Sequence, residues 1–528
     1  MKITSPTIVD TTDGQLEGIV QNGIFSFRGI PYTAPPINHL RWQPPQPVEP
    51  WTGVRSAKEF GSVSHQWMDS FPGQRHPVEI IGNSILIVPQ SRSEDCLYLN
   101  VWTPGLDNAK RPVMVWIHGG GLENGAGSQP NYDGASLARN GDVVVVTINM
   151  RLGPFGYLRL ADVTNGQIPS TGNEGRMDEI AALQWVQKNI ATFGGNPGNV
   201  TIFGQSAGAI EVACLIAASP AKGLFHRAIL HSTATHSAQT VDHANLITEL
   251  FLQTAGVEPS DIDAIRNLSP EDLTRTSVQM LAAMAKLDPK LGRMHFNPVI
   301  DGTFLAQRPY DAIRAGGADN LSIMVGTTLD DTRVGLGNTP PMAMEYDAAL
   351  AQVRNFLDDE APRAMDRYTS FLKQRGAPHD PIDVVMAIET DRVLRQPSIL
   401  LSEALLERGN PGHHFIVTYE SPAYDGRLGS PHAIELAFIF GTHNDPQIQP
   451  FGGDGPVAEQ FSARMQAAWS SFARTGDPSC DSVGHWPQYG RNRETMMIGQ
   501  SWSVESAPFE DERQFWATFP GDPGLGLM

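Results

Sequence analysis

The sequence contains one serine in a setting that suits nucleophilic catalysis. The pentapeptide Gly204-Gln-Ser-Ala-Gly208 follows the short apolar run 200–203 and opens a second apolar run at 209–218. When the G-x-S-x-G pattern lies between a strand and a helix, a tight turn lifts the serine hydroxyl clear of the sheet, where a base can reach it. Ser206 is therefore the candidate nucleophile of an acyl-transfer reaction. The alternative is a glycine-bounded turn that carries a surface serine with no chemical role.

A glycine run supplies the second candidate element. His118-Gly-Gly-Gly121 ends the apolar run 112–117. Glycines there allow backbone N–H groups to approach the negatively charged oxygen of a tetrahedral intermediate. A glycine-rich loop can instead hold a phosphate, but no Lys-Ser or Lys-Thr pair follows, as a P-loop requires, and no G-x-G-x-x-G opens a helix here. The two motifs together favour a serine hydrolase.

Alternating apolar runs and helical patterns indicate how these residues are positioned. Short, β-branched-rich runs with polar flanks predict buried parallel strands, at 111–117, 142–149, 200–203, 228–231, 321–325 and 414–419. Apolar residues at helical spacing predict a helix over 178–190. The alternation predicts an α/β fold with a large, mostly parallel central sheet flanked by helices. We expect one domain over residues 1–528, in which the mostly helical segment 330–410 forms a cap beside the sheet.

Composition excludes several classes of function. The 528-residue chain has 38 Lys+Arg, 57 Asp+Glu and a formal net charge of −19. We expect no nucleic-acid partner, because phosphate binding needs clustered cations. No apolar run approaches the ~18 residues of a membrane span, so no membrane partner is expected. The three cysteines, Cys96, Cys214 and Cys480, cannot all pair and predict reduced thiols. No secretory signal is recognisable, and a cytoplasmic protein is expected.

Further sequence strings, spaced over nearly the whole chain, resemble those of one family. They are Phe27-Arg-Gly-Ile-Pro-Tyr32, Ser93-Glu-Asp-Cys-Leu-Tyr-Leu-Asn-Val-Trp102, Asn149-Met-Arg-Leu-Gly153, Phe193-Gly-Gly-Asn-Pro197, Asn297-Pro-Val-Ile-Asp-Gly302 and Trp469-Ser-Ser-Phe-Ala-Arg-Thr-Gly-Asp-Pro478. Together with the two motifs above, they resemble the type-B carboxylesterases, an α/β-hydrolase family that includes para-nitrobenzyl esterases and cholinesterases. The resemblance implies the α/β-hydrolase fold and the hydrolysis of carboxylic esters through an acyl-enzyme.

The resemblance also carries the remaining catalytic positions onto this sequence. His432 matches the family's base, and Asp331 matches its acid, although the family usually has glutamate there. Asp330 is the alternative acid, because an aspartate side chain is one methylene shorter than glutamate. The order Ser206, Asp331, His432 along the chain is that of α/β-hydrolases. By the same resemblance, the oxyanion hole consists of the N–H groups of Gly120, Gly121 and Ala207.

These assignments imply a reaction without a cofactor. His432 takes the proton of Ser206 and later gives it to the leaving alcohol, while the Asp331 carboxylate orients the imidazole. Because only neutral His432 can accept the proton, activity is expected to rise with pH through a pKa near ~6.5. No metal or organic cofactor is implied.

Departures from the family pattern concern the substrate pocket. Gln205 precedes the nucleophile where the family commonly has glutamate, and Leu86 stands where cholinesterases have a tryptophan that holds a quaternary ammonium. Without that aromatic face there is no cation–π site, so uncharged esters are expected as substrates. Gly292 and Met294 replace aromatic bulk at the acyl pocket and leave more room there. The predicted substrate contacts are Leu122, Gln205, Gly292, Met294 and Phe296.

Two alternatives to an esterase remain open at this point. A carbamate, amide or lactone hydrolase would use the same residues, because these reactions share one tetrahedral intermediate. A non-catalytic binding protein of the same fold is the second alternative, and the presence of all three catalytic residues disfavours it. The expected partner is a small-molecule ester, and the chain is expected to be a monomer or a homodimer.

Overall fold

The computed structural model describes residues 7–67, 90–287, 295–336 and 344–519. Leu86, Gly292 and Met294, which the sequence places at the pocket, lie outside these ranges. Within them the strands are β1 Ile8–Asp10, β2 Gln15–Glu17, β3 Ile19–Gln21, β4 Ile24–Pro31, β5 Val54–Ser56, β6 Tyr98–Thr103, β7 Arg111–Ile117, β8 Val144–Ile148, β9 Gly195–Gln205, β10 Arg227–His231, β11 Gln239–Thr240, β12 Val299–Ile300, β13 Ser322–Thr328, β14 His413–Val417, β15 Glu494–Ile498 and β16 Trp502–Ser506.

Most of these strands form one large mixed sheet, in the order β16-β15-β14-β13-β10-β9-β7-β8-β6-β4-β3. The central strands from β15 to β8 run parallel, and antiparallel strands flank them at both edges. The expected α/β fold with a large, mostly parallel central sheet is confirmed. Because the carboxyl ends of parallel strands meet at one edge of a sheet, the segments that follow β7, β9, β10 and β13 lie close together.

Helices cover both faces of this sheet. Their bounds are α1 Ala135–Gly141, α2 Gly153–Tyr157, α3 Glu174–Asn189, α4 Ala207–Ala217, α5 Val241–Ala255, α6 Ile262–Arg266, α7 Pro270–Leu287, α8 Pro309–Ala312, α9 Tyr346–Leu357, α10 Ala361–Gln374, α11 Pro381–Thr390, α12 Gln396–Glu407, α13 Leu436–Phe440, α14 Gln449–Gly452, α15 Gly455–Thr475 and α16 Glu510–Trp516. In the described part of the chain, none of them has both the length and the apolar character that a membrane span requires.

Strand β7 shows why the central strands read as continuous apolar runs in the sequence. Val113 belongs to the same buried apolar cluster as Leu183 of α3, whereas Trp116 belongs to a second cluster with Trp469 of α15. Alternate side chains of a strand point to opposite faces of the sheet. Since helices cover both faces, neither face needs polar residues, and the run 112–117 is buried throughout.

Helices α9 to α12 occupy most of the segment 330–410. The first three of them share a separate apolar cluster with the C-terminal helix α16, in which Val353, Tyr368 and Val384 pack with Phe515 and Trp516. The helical content agrees with the sequence pattern. That this segment forms a cap beside the sheet stays a prediction.

Candidate active site

Ser206 lies on a strained turn between β9 and α4. Its φ is 59° and its ψ −128°, a sparsely populated backbone conformation that costs a residue with a side chain roughly 1–3 kcal/mol. The turn is held by a hydrogen bond of 2.9 Å from the Ser206 N–H to the carbonyl of His231. The turn also requires glycine at positions 204 and 208, because a methyl group on either Gly204 or Gly208 would collide with a neighbouring backbone carbonyl. The sequence thus directs the Ser206 side chain away from the sheet.

Asp331 is the carboxylate that contacts His432. Its Oδ1 accepts a hydrogen bond from His432 Nδ1, and its main-chain carbonyl accepts one of 3.1 Å from the His432 N–H. The other oxygen, Oδ2, accepts hydrogen bonds from Ser232 Oγ at 2.7 Å and from the Thr328 N–H at 3.1 Å. The Asp331 side chain is fully buried. Because both of its oxygens have partners, the carboxylate is fixed in the orientation that holds the imidazole.

Asp330 makes different contacts. Its Oδ2 accepts a hydrogen bond of 3.0 Å from the Ser430 N–H, and its Oδ1 lies 3.2 Å from Arg333 Nε. The contact with Ser430 joins the loop after β13 to the segment that carries His432, whereas the contact with Arg333 is local to the loop. Asp330 therefore stabilises the loop beside the site, whereas the Asp331 carboxylate contacts the imidazole.

Gln205 lies against the other side of the imidazole ring. Its side-chain Nε2 is 2.8 Å from His432 Nε2. An amide N–H donates, so His432 Nε2 is the acceptor, and the ring proton lies on Nδ1, where Asp331 accepts it. This tautomer leaves Nε2 able to take a proton. Between described residues no hydrogen bond joins Ser206 Oγ to His432, and such bonds commonly form only when substrate binds.

The surroundings of His432 shift its pKa upwards. Burial of the ring lowers the pKa, but the charge of Asp331 and the hydrogen bond to it raise the pKa by more, so the net value lies above the ordinary 6.5. The sequence-based expectation of ~6.5 used the ordinary histidine pKa, and the contact with Asp331 moves the expected pKa of His432 upwards. Because the folded-state pKa is raised, protonated His432 stabilises the fold fully below pH ~6.5. That contribution is lost as the pH rises through the folded-state pKa.

The glycine run after β7 packs directly onto the serine turn. A methyl group at Gly119 would lie 2.6 Å from the Gln205 carbonyl oxygen and 3.2 Å from Ser206 Cβ, so only glycine fits. Gly120 and Gly121 have φ values of 118° and 68°. Among the described residues, no backbone acceptor pairs with the N–H group of either. Ala207 begins helix α4, where N–H groups have no partner within the helix.

His118 fixes one of these peptide groups. Its Nδ1 is 2.8 Å from the Gly119 carbonyl oxygen, and burial lowers the pKa of the ring to about 4. His118 is therefore neutral at physiological pH and donates from Nδ1. Since the Gly119 carbonyl and the Gly120 N–H belong to one planar peptide, this bond also sets the direction of the Gly120 N–H.

The predicted pocket residues that the structure describes are buried. Leu122 and Phe296 are each 1% exposed and belong to the larger apolar cluster of the sheet, while Gln205 contacts His432. Sequence reasoning missed Ser232, the residue immediately after β10. A polar residue at the carboxyl end of a predicted strand, next to the nucleophile's strand, was the available signal.

Strand order, serine turn and glycine loop together define an α/β-hydrolase. The sequence model of the Carboxylesterase family matches residues 5–516, and the chain belongs to that family. It is 34% identical to the para-nitrobenzyl esterase of Bacillus subtilis (strain 168) over 511 residues, covering 96% of this chain and 98% of that protein. It is 33% identical to the phenmedipham hydrolase of Pseudarthrobacter oxydans over 502 residues, covering 94% and 95%.

Solved structures agree with these sequence matches. A carboxylesterase of Geobacillus stearothermophilus superimposes with a TM-score of 0.83 at 35% identity, covering 97% of this chain and 100% of that one. A thermophilic PNB esterase gives a TM-score of 0.82 at 32% identity, covering 97% and 99%. The resemblance to type-B carboxylesterases is thereby confirmed, and the protein is a carboxylic ester hydrolase that works as a serine esterase.

Proposed function

We propose that Ser206, His432 and Asp331 are the catalytic triad of this esterase and that uncharged esters are its substrates. The observation that carries the proposal is the contact between Asp331 and His432 Nδ1, which leaves His432 Nε2 as the acceptor at the edge of the sheet where Ser206 lies. The experiment that tests the triad is a comparison of kcat for the variants Ser206→Ala, Asp331→Asn and Asp330→Asn.

The reaction follows from these positions. Ser206 Oγ attacks the acyl carbon while its proton passes to His432 Nε2, and the carbonyl π electrons move onto oxygen. The N–H groups of Gly120, Gly121 and Ala207 stabilise that oxygen, and each such donor is worth on the order of 3 kcal/mol. The intermediate then expels the alcohol, which takes the proton from His432. Water cleaves the acyl-enzyme by the same steps in reverse order.

Gln205 must release His432 during this cycle. Its amide occupies Nε2 in the free enzyme, so the Ser206 hydroxyl takes its place when substrate is bound. A neutral amide allows this exchange because it holds the ring by one ordinary hydrogen bond. A carboxylate there would favour the protonated ring, so a higher pH would be needed to obtain the neutral imidazole that acts as the base.

The pH dependence of kcat/KM tests this role of Gln205. For the native enzyme and a neutral ester we expect kcat/KM to rise with a midpoint above pH ~6.5, since the pKa of His432 is raised. Gln205→Glu should move the midpoint further up, whereas Gln205→Asn, which keeps a neutral amide, should not. A midpoint at or below the ordinary histidine pKa, or no shift in the Glu variant, would contradict the proposed contact.

Acyl chain length tests the proposed substrate class. In the sequence, Gly292 and Met294 stand where the family resemblance places aromatic bulk at the acyl pocket, and each methylene that an apolar pocket accommodates can contribute ~1–3 kcal/mol of discrimination. Butyryl has two methylenes more than acetyl, so with p-nitrophenol as the common alcohol we expect kcat/KM to be at least about 30-fold higher for the butyryl ester. With butyrate as the common acid, the choline ester should be the poorer substrate. Preference for the choline ester would reject the neutral pocket and leave the triad intact.

Carbamate, amide and lactone hydrolysis are alternatives at the same site. All of them proceed through one kind of tetrahedral intermediate, so no contact described above separates them. Three chromogenic substrates allow a comparison: p-nitrophenyl butyrate, p-nitrophenyl N-ethylcarbamate, which shares its leaving group, and the p-nitroanilide of butyric acid, which shares its acyl group. We expect the ester to have the highest kcat/KM.

We also propose that the protein works in the cytoplasm as a monomer or a homodimer. Cys96 and Cys214 are buried and unpaired, and burial raises the pKa of both thiols, which keeps them protonated and unreactive. Free thiols of this kind suit a reducing compartment. Cell fractionation tests the location, and sedimentation equilibrium tests the oligomeric state.

A further inference from the structure

Three polar side chains meet beside the glycine loop. Ser277 Oγ lies 2.7 Å from Glu123 Oε1 and 2.9 Å from His295 Nε2, and His295 Nε2 lies 3.3 Å from Glu123 Oε1. The three residues come from separate segments. Glu123 follows the glycine loop, Ser277 lies on helix α7, and His295 directly precedes Phe296. The cluster therefore joins the oxyanion loop to the segment predicted to line the acyl pocket.

Burial makes these contacts important for all three groups. Ser277 and His295 are each 1% exposed, and the Glu123 side chain is 13% exposed. A carboxylate removed from water requires hydrogen-bond donors. In the part of the chain that the structure describes, His295 Nδ1 has no hydrogen-bond partner, so a proton on Nε2 is the arrangement that satisfies the cluster. His295 Nε2–H then donates to Ser277 Oγ, whose own proton goes to Glu123.

This direction of the hydrogen bonds excludes Ser277 as a second nucleophile. Its proton is directed to the carboxylate, and its oxygen accepts from the imidazole, so no base is positioned to activate it. The side chain is also buried. What the cluster can do is hold the backbone of Glu123 in place.

The backbone of Glu123 is bonded to the glycine loop. The N–H groups of Glu123 and Asn124 donate to the Gly120 carbonyl oxygen at 3.3 Å and 3.0 Å. That carbonyl shares a planar peptide with the N–H of Gly121, and the two point in opposite directions. Whatever fixes the Gly120 carbonyl therefore fixes the Gly121 N–H.

We propose that Glu123 is a positioning residue for the oxyanion hole. Its side chain, held by Ser277 and through it by His295, keeps the turn 120–124 in the arrangement that directs the Gly121 N–H to the reacting oxygen. The same chain of bonds connects this turn to His295, the residue before Phe296. The inference rests on the proposed function, in which the Gly121 N–H stabilises the tetrahedral intermediate.

Two inhibitors separate this role from a general structural one. A trifluoromethyl ketone adds Ser206 Oγ to its carbonyl carbon and places a negative oxygen in the oxyanion hole, whereas the methyl ketone of the same carbon skeleton binds as the uncharged ground state. For Glu123→Ala we expect kcat to fall by about tenfold. Removing a donor outright costs about 10²–10³-fold, and a displaced donor should cost less. The inhibition constant of the trifluoromethyl ketone should rise by the same factor, and that of the methyl ketone should stay within about twofold.

Conservative and double variants add two further expectations. Glu123→Gln keeps an oxygen that accepts from Ser277 and should retain most of kcat. Ser277→Ala should lower kcat in the native background and have no further effect in the Glu123→Ala background, because both changes break the same chain of bonds. If Glu123→Ala does not fold, the inhibition constants of the two ketones are measured for Ser277→Ala and Glu123→Gln instead.

Asp272→Ala is a matched control on the same helix. Asp272 accepts a hydrogen bond of 2.7 Å from Ser269 Oγ, so this variant also breaks a serine–carboxylate pair, but at the start of α7 and away from the glycine loop. It should lower the melting temperature and leave both inhibition constants unchanged.

Three results would overturn the proposal. They are a change in kcat below twofold for Glu123→Ala, an equal loss of affinity for the two ketones, and a Glu123→Gln variant as impaired as the alanine variant. Failure of the proposed function would give a distinguishable result. In that case the native enzyme would have similar inhibition constants for the trifluoromethyl ketone and the methyl ketone.

Discussion

Replacement of Ser206 by alanine should lower kcat for a neutral ester by about 10⁶-fold, which corresponds to ~8 kcal/mol of transition-state stabilisation. The variant keeps the turn, the glycine loop and His432, so it loses the nucleophile alone. A residual rate of about 10³-fold over the uncatalysed reaction should remain, because the oxyanion donors still bind the transition state. Steady-state kinetics with p-nitrophenyl butyrate measures both quantities.

The fold of this variant provides its control. Alanine retains the Cβ atom at a φ of 59°, and the hydrogen bond from the residue 206 N–H to the His231 carbonyl is unaffected by the side chain. The melting temperature should therefore stay close to that of the native enzyme. A variant that melts normally and keeps a tenth or more of the activity would show that another residue is the nucleophile.

Asp331→Asn should lower kcat by about 10⁴-fold. An amide in place of the carboxylate can donate to His432 Nδ1, which favours the tautomer with its proton on Nε2, and that tautomer cannot accept the Ser206 proton. The Ser232 hydroxyl, 2.7 Å from Asp331 Oδ2, would then hold the wrong amide orientation as firmly as it holds the carboxylate. The measurement is kcat with the same ester.

Asp330→Asn is the paired control for this prediction. It weakens the contact of 3.2 Å with Arg333, a partly exposed ion pair of the kind usually worth less than ~1 kcal/mol. We expect kcat to change by less than about tenfold. Equal losses in the two variants, or a larger loss for Asp330→Asn, would reverse the assignment of the acid.

Strands covered on both faces could be predicted from the sequence. The run 111–117 matches strand β7 residue for residue, and 228–231 matches β10 except for one residue at its start. Exposed edge strands could not be predicted in this way. Strand β16 is exposed at four of its five positions, so it lacks the apolar run, and its place in the sheet depends on pairing with β15.

The residues of the candidate site likewise differ in whether the sequence alone could predict them. Ser206 and the glycine loop are local motifs whose chemistry can be read from adjacent residues. His432 lies 101 residues from Asp331, and only the family resemblance selected this pair. The contact of Gln205 with His432 depends on side-chain directions across 227 residues of sequence, and the cluster around Ser277 depends on three distant segments. No periodicity or spacing encodes such contacts.

Peptide mapping after inactivation by a fluorophosphonate is the most direct test of Ser206 as the nucleophile. The reagent forms a covalent bond with an activated serine, so the position of the adduct identifies the nucleophile without any assumption about substrate. We expect one adduct per chain, on Ser206, formed far more slowly in Asp331→Asn than in Asp330→Asn. An adduct on a different residue, or inactivation without an adduct on Ser206, would contradict this assignment.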